Sequence, residues 1–141
     1  MTGLAEAAIA GMRRAGLRPT RQRRQLANLL FADTTEAVTA EGLHALATRN
    51  GIKVSLATVY GTLNSFCEVG LVRDIAVDSK RYFDTNPDNQ QYFFYEEEKR
   101  LVAVSAEKTG FTGTPPAPEG LMVARVDLIV RLRKDEPGRR H

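Results

Sequence analysis

The chain has 141 residues, 43% of them hydrophobic and 26% charged, which suits one domain or two small ones and argues against disordered and fibrous classes. No apolar run approaches the roughly 20 residues of a membrane helix, and the Met1-Thr-Gly-Leu-Ala-Glu6 start lacks the charged-then-apolar order of a signal peptide, so a cytoplasmic protein without membrane contact is expected. Cys67 is the only cysteine and His44 and His141 the only histidines, which excludes an internal disulfide and a CxxC metal knuckle.

The net charge of +3 is unevenly spread. Residues 1–31 hold Arg13, Arg14, Arg18, Arg21, Arg23 and Arg24 against the single acid Glu6, whereas the basic and acidic side chains of residues 86–141 cancel. A localised arginine cluster is what binding to a phosphate backbone requires, because each cation near DNA releases condensed counterions. A solvated helix face accounts for the same composition.

In chain order, Leu4 to Ala15 is alanine-rich and predicts a helix ended by Gly16. Thr20 caps a second helix over Arg21 to Phe31, with Leu26, Leu29, Leu30 and Phe31 on one side. Asp33 to Glu36 is a polar linker. Thr39 caps a third helix to Asn50, stopped by Gly51, and Ser55 caps a fourth to Val69, stopped by Gly70. The fourth carries Leu56, Val59, Leu63, Phe66 and Cys67 at helical spacing. The period then shortens to 2, and Leu71 to Val77 with Arg81 to Thr85 predicts a hairpin turning at Asp78-Ser79-Lys80. Helices followed by a hairpin make a winged helix. Its fourth helix is the recognition helix, and Lys80 and Arg81 lie near the wing tip for phosphates.

Asn86 to Gln90 predicts a hinge between a DNA-binding domain at 1–85 and a strand-rich domain at 91–141. The latter has strand candidates at Gln91–Glu96, Arg100–Val104 and a long Leu121–Arg133, separated by a Gly110–Pro118 stretch that cannot be helical. Three strands in about 50 residues bury too little surface alone, so pairing across a two-fold axis is the natural remedy and a homodimer is expected. The predicted class is α+β: a winged-helix domain followed by a small α/β dimerisation domain.

The segments Leu17-Arg-Pro-Thr-Arg-Gln-Arg-Arg24, Val38-Thr-Ala-Glu-Gly-Leu43, Val54-Ser-Leu-Ala-Thr-Val-Tyr-Gly-Thr-Leu-Asn-Ser-Phe66 and Gly70-Leu-Val-Arg73 together resemble the ferric uptake regulator family. Arg81-Tyr-Phe-Asp-Thr-Asn86 and Ala124-Arg-Val-Asp-Leu-Ile-Val-Arg-Leu-Arg133 are similar to its iron response regulator branch. The resemblance implies a homodimeric transcription factor on double-stranded DNA, a repressor or activator in iron homeostasis. It also implies DNA contacts: Arg18 in the minor groove, where narrow A·T stretches attract arginine, Ser55 and Thr58 on phosphate, and Tyr60 against thymine methyls. With Thr20, Arg21, Arg23, Arg24, Lys80 and Arg81 these form the expected DNA-binding set. Tyr60 also reads as a partly buried helix residue.

Two departures stand out. Gly61 occupies the position after that tyrosine where the family usually carries a base-reading Arg or Asn, so discrimination is expected to pass to Thr58, Thr62 and Ser65. The family's hinge histidines are replaced by Asn89-Gln-Gln-Tyr92, and its later histidine falls near Val126. Carboxamides bind transition metals poorly, and a tyrosine ligand must lose a proton with a pKa near 10. Asp84, Asp88, Glu96 to Glu98, Cys67 and His44 remain. The glutamates read as a solvated hairpin tip, Cys67 as a packed side chain and His44 as a satisfied one. No bound metal, haem or other cofactor is expected, although the family norm is iron, manganese, zinc or haem. No nucleophile-and-base constellation exists, so no enzyme is expected. The expected function is sequence-specific transcriptional regulation of iron- or haem-related genes. Two rivals are a metal-free modulator of a histidine-bearing paralogue and a sensor with another ligand among Tyr82, Tyr92, Phe93, Phe94 and Tyr95.

Overall fold

A computed structural model of the chain describes residues 3–32, 35–105 and 113–138; the linker residues Asp33 and Thr34, the Gly110–Thr112 start of the proline-rich stretch and the terminal His141 lie outside them. Three hydroxyls set where the N-terminal helices begin. Thr20 Oγ1 accepts the amide of Arg23 at 3.3 Å, Thr39 Oγ1 that of Gly42 at 3.0 Å and Ser55 Oγ that of Thr58 at 3.1 Å, each satisfying a donor that has no intrahelical acceptor. The helices they open are α2 (Arg21–Leu30), α3 (Ala40–Arg49) and α4 (Leu56–Glu68), preceded by α1 (Gly3–Arg14). No described helix is long and apolar enough to cross a membrane.

The described chain divides into two compact units, Met1–Asp88 and Asn89–His141. In the first, Met12, Leu26, Leu30, Leu43, Val59, Leu63, Phe66, Val72 and Phe83 are at most 2% exposed and form one core. Each such side chain contributes about 1.5–3 kcal/mol of transfer free energy. Helix α1 comes close to the segment after α4: a Cβ on Gly11 would stand 2.8 Å from Leu71 Cδ2, so only glycine fits there without a shift.

The expected polar linker is partly structured. Glu36–Ala37 form a short strand, β1, and Val38 exchanges both backbone hydrogen bonds with Phe83 at 2.9 and 2.7 Å. The wing pairs β2 (Arg73–Val77) antiparallel with β3 (Lys80–Asp84), Val77 opposite Lys80. Its turn is therefore the two residues Asp78 and Ser79 rather than three, and both have positive φ, 51° and 66°. This is the turn whose twist matches paired strands and that favours glycine. Ser79→Gly is expected to raise the unfolding free energy by about 1 kcal/mol in urea titrations; an unchanged midpoint would mean that the turn carries no strain.

In the second unit β4 (Gln91–Tyr95) pairs antiparallel with β5 (Arg100–Ala103) and parallel with β6 (Leu128–Leu132). The described residues of this unit contain these three strands and no helix. The long final strand expected over Leu121–Arg133 is corrected: only Leu128–Leu132 pair, because β4 offers five residues to pair with, and Leu121–Asp127 run without regular structure.

The expectation of a wholly solvated Glu96–Glu98 tip is also corrected. Glu96 accepts hydrogen bonds from Arg131 Nε at 2.5 Å and from Arg133, while Glu97 and Glu98 are exposed. The guanidinium of Arg133, then that of Arg131, hold the Glu96 carboxyl below the usual glutamate range. A lowered folded-state pKa means stability that is present above the ordinary value and lost as pH falls through the lowered one. Glu96→Gln is therefore expected to lower the melting temperature more at pH 7 than at acid pH, the deficit shrinking as pH falls through the lowered carboxyl pKa. An equal loss at both pH values would show that charge is not what matters.

Candidate nucleic-acid interface

Helix α4 buries Val59, Thr62, Leu63 and Phe66, which turns the opposite stripe outward. Ala57, Gly61, Asn64 and Glu68 are exposed at spacings of 4, 3 and 4, with Leu56 beside them at 36% exposure. A Cβ on Gly61 would meet nothing within 4 Å, so the middle of the stripe is bare. Thr62, expected to share in base reading, is only 7% exposed and faces the core; Thr58 and Ser65 are half-buried. The exposed amide of Asn64 was not anticipated.

Ser55 and Thr58 are engaged with each other: Ser55 Oγ donates to Thr58 Oγ1 at 2.9 Å while capping the helix. Tyr60 is half-buried, and its hydroxyl stands 3.3 Å from both carboxylate oxygens of Glu41 at the start of α3. Desolvation, followed by the Glu41 charge and hydrogen bond, pushes the Tyr60 hydroxyl pKa up. The phenol stays protonated and donates. Nineteen residues separate the pair in sequence, so no local pattern announced it.

The arginine cluster lies around the turn that leads into α2. Arg18 is exposed and its carbonyl accepts from Arg23 Nη1 at 2.7 Å, while Arg24 Nε donates to the Pro19 carbonyl at 2.9 Å. Arg23 and Arg24 thus hold the turn in shape and keep further N–H groups for other partners. Thr20 is used as the cap, and Arg21 is exposed at the first position of α2. Arg21, Gln22 and Gln25 of α2 line a common cleft with residues 51–53, just before the α4 cap, so of the expected DNA-binding residues only Arg21 faces it. Lys80 is exposed beside the wing turn, and Arg81 reaches Asp74 at 3.0 Å with its guanidinium 4.8 Å from the Phe83 ring centre. Both members of that ion pair are about half exposed, so it contributes little and can exchange for a phosphate.

The other candidates are occupied. His44 Nε2 lies 3.0 Å from the Val54 carbonyl. Cys67 is half-buried, and burial, then Asp74, pushes its thiol pKa up, away from the reactive thiolate. Asp84, 2% exposed, accepts the Asn86 amide at 2.9 Å. Tyr82, Tyr92 and Phe94 are buried, while Phe93 and Tyr95 stack edge-to-face at 6.5 Å. The Asn89 carbonyl accepts from the Tyr92 hydroxyl at 3.3 Å and from the Arg125 guanidinium.

The family model described as the ferric uptake regulator family matches residues 14–106. The chain is 31% identical over 98 residues to the peroxide-responsive repressor PerR of Staphylococcus aureus, covering 69% of this chain and 66%, just under two thirds, of that relative. Among solved structures, the Vibrio cholerae ferric uptake regulator superposes with a TM-score of 0.70 at 19% identity, covering 89% of this chain and 98% of that one. The Pseudomonas aeruginosa ferric uptake regulator with manganese superposes with a TM-score of 0.66 at 20% identity, covering 90% and 97%. These likenesses establish the fold.

Proposed function

The chain belongs to the ferric uptake regulator family, and from that premise we propose that it is a cytoplasmic, homodimeric transcriptional regulator. In this reading it binds double-stranded DNA, governs iron- or haem-related genes in the manner of the iron response regulator branch, and works without a regulatory metal of its own. The observation that supports the DNA reading furthest is that the start of α2, which follows the exposed arginine turn, shares a cleft with the connector leading into α4, a helix whose outward stripe is free of core residues. A bare Gly61 lets that helix approach the groove closely, while phosphate contacts carry more of the affinity.

The metal-free reading rests on the chemistry of the donor set. At residues 89–92 the side chains are three carboxamides and a buried phenol, and the Arg125 guanidinium sits on the Asn89 carbonyl. A fixed cation beside neutral, weakly coordinating groups does not fit a divalent ion. The work is binding rather than catalysis, since His44 and Cys67 are held as described above.

A titration of the purified chain against duplex DNA at several salt concentrations, with and without chelator, tests both parts. Steeply salt-dependent binding that is indifferent to chelator is expected. Gly61→Arg, for which the structure has room, is expected to raise affinity and sharpen sequence preference. No salt-dependent binding would overturn the DNA reading in favour of a modulator of a paralogue. Binding lost in chelator and regained with one equivalent of a divalent ion would overturn the metal-free reading alone.

A further inference from the structure

Between the start of α2 and the connector that precedes α4 lies a cleft of about 310 Å³ lined by Arg21, Gln22, Gln25, Gly51, Ile52 and Lys53. Its polar side chains are two cations and two carboxamides, and no carboxylate lines it. Arg21, Gln22 and Lys53 are exposed, and none of the four polar side chains has an ion pair or hydrogen-bond partner among the described residues. This sets them apart from Arg23 and Arg24, which spend donors on Arg18 and Pro19. The backbone adds to the same potential. Thr20 takes the amide of Arg23 only, so the amides of Arg21 and Gln22 at the first positions of α2 keep their hydrogens for an outside acceptor. Gly51 turns the chain at the rim with φ 72°, leaving no side chain there to narrow the opening.

We propose that this cleft is a seat for one backbone phosphodiester of bound DNA, with Lys53 and Arg21 as the two charged jaws. The inference rests on the DNA reading above and adds to it a defined place for one phosphate and a residue, Lys53, that the sequence did not single out. A diester fits better than a free anion because the cleft is open, and because Lys53 stands two residues before the Ser55 cap of α4 and Arg21 three residues after Arg18. A phosphate held there pins the duplex between the minor-groove arginine and the recognition helix. The seat reads no base, so it serves every sequence alike.

The test uses the full chain with Lys53→Gln, Arg21→Gln and the double variant, each checked for an unchanged thermal melt, with Lys99→Gln on the second unit as a control. Binding to a mixed-sequence duplex and to a selected site is followed against salt. The double variant is expected to lower the slope of log K against log salt by about 0.9, the loss of one neutralised phosphate, each single variant by part of that, and equally on both duplexes. One neutral methylphosphonate, walked along the backbone, is expected to weaken the parent at a position where it no longer weakens Lys53→Gln. Unchanged slopes in the double variant, alongside a lowered slope in Arg18→Ala, would overturn the seat and leave the DNA reading standing. A parent with no salt-dependent binding would overturn both. Inorganic phosphate shifting the Arg21 and Gln22 amides at millimolar concentration, with DNA binding untouched by the variants, would make the cleft a free-anion site and overturn the diester.

Discussion

Phe66→Ala is expected to lower the stability of the first unit by about 3–5 kcal/mol, the cost of removing an aromatic ring from a site that cannot collapse. Phe66 is fully buried, one turn beyond Leu63 and two beyond Val59 on the inner face of α4, and together they fasten that helix to the core. Against a typical domain stability of about 5–15 kcal/mol, such a loss leaves the recognition helix unanchored in a large share of molecules. DNA affinity should fall with it at every sequence. Asn64→Ala, two residues away on the exposed stripe, is expected to stay within about 0.5 kcal/mol of the parent. Urea unfolding followed by circular dichroism separates the two; a Phe66→Ala midpoint close to that of Asn64→Ala would refute the packing assigned to α4.

Tyr92→His is the second large effect. Returning an imidazole to the position where the family carries its histidines looks conservative, but Tyr92 is fully buried in β4 and its hydroxyl already donates to the Asn89 carbonyl. The smaller ring leaves a void and brings in a nitrogen without an assured partner, at a cost of about 2–4 kcal/mol. Burial disfavours the charged imidazolium and lowers the folded-state pKa, so the unfolded chain binds the extra proton and the deficit should widen as pH falls below about 6.5. Gln90→His and Gln91→His, at exposed and half-buried positions, should be tolerated. Thermal melts at pH 8 and pH 5.5 decide the matter: a Tyr92→His melt equal to the parent at both would show that residue 92 is open to water.

The helices could be read from the sequence because their signals are local. A hydroxyl at each of positions 20, 39 and 55 and a glycine after three of the helix ends bracket apolar stripes that repeat every three to four residues. The last strand was over-read for the complementary reason. Alternation around Leu121-Met-Val123 satisfies a period of two, yet those side chains are 68%, 83% and 43% exposed, since a strand needs a neighbour as well as a pattern. Glu36–Ala37 was missed because two residues carry no period at all. The candidate DNA surface was legible in its cations and in Tyr60. What escaped were contacts between distant residues: Glu41 on Tyr60, Lys53 opposite Arg21, and Arg131 and Arg133 on Glu96.

The close approach of Gly11 to Leu71 also bears on what the first unit can measure. Helix α1 leads into the Arg18 turn, and Leu71 follows directly on the end of α4, its amide bonded to the Phe66 carbonyl at 2.9 Å. The Leu71 side chain fills the space that a side chain at position 11 would need, so α1 and the chain leaving α4 meet across that one residue, between the arginine turn and the recognition helix. On the DNA reading proposed above, a duplex whose groove widths match the spacing of the arginine turn and α4 would bind with the least distortion. A bulkier residue at position 11 is expected to be met first by rotation of Leu71, and only a residue too large for that would press α1 away from the chain leaving α4.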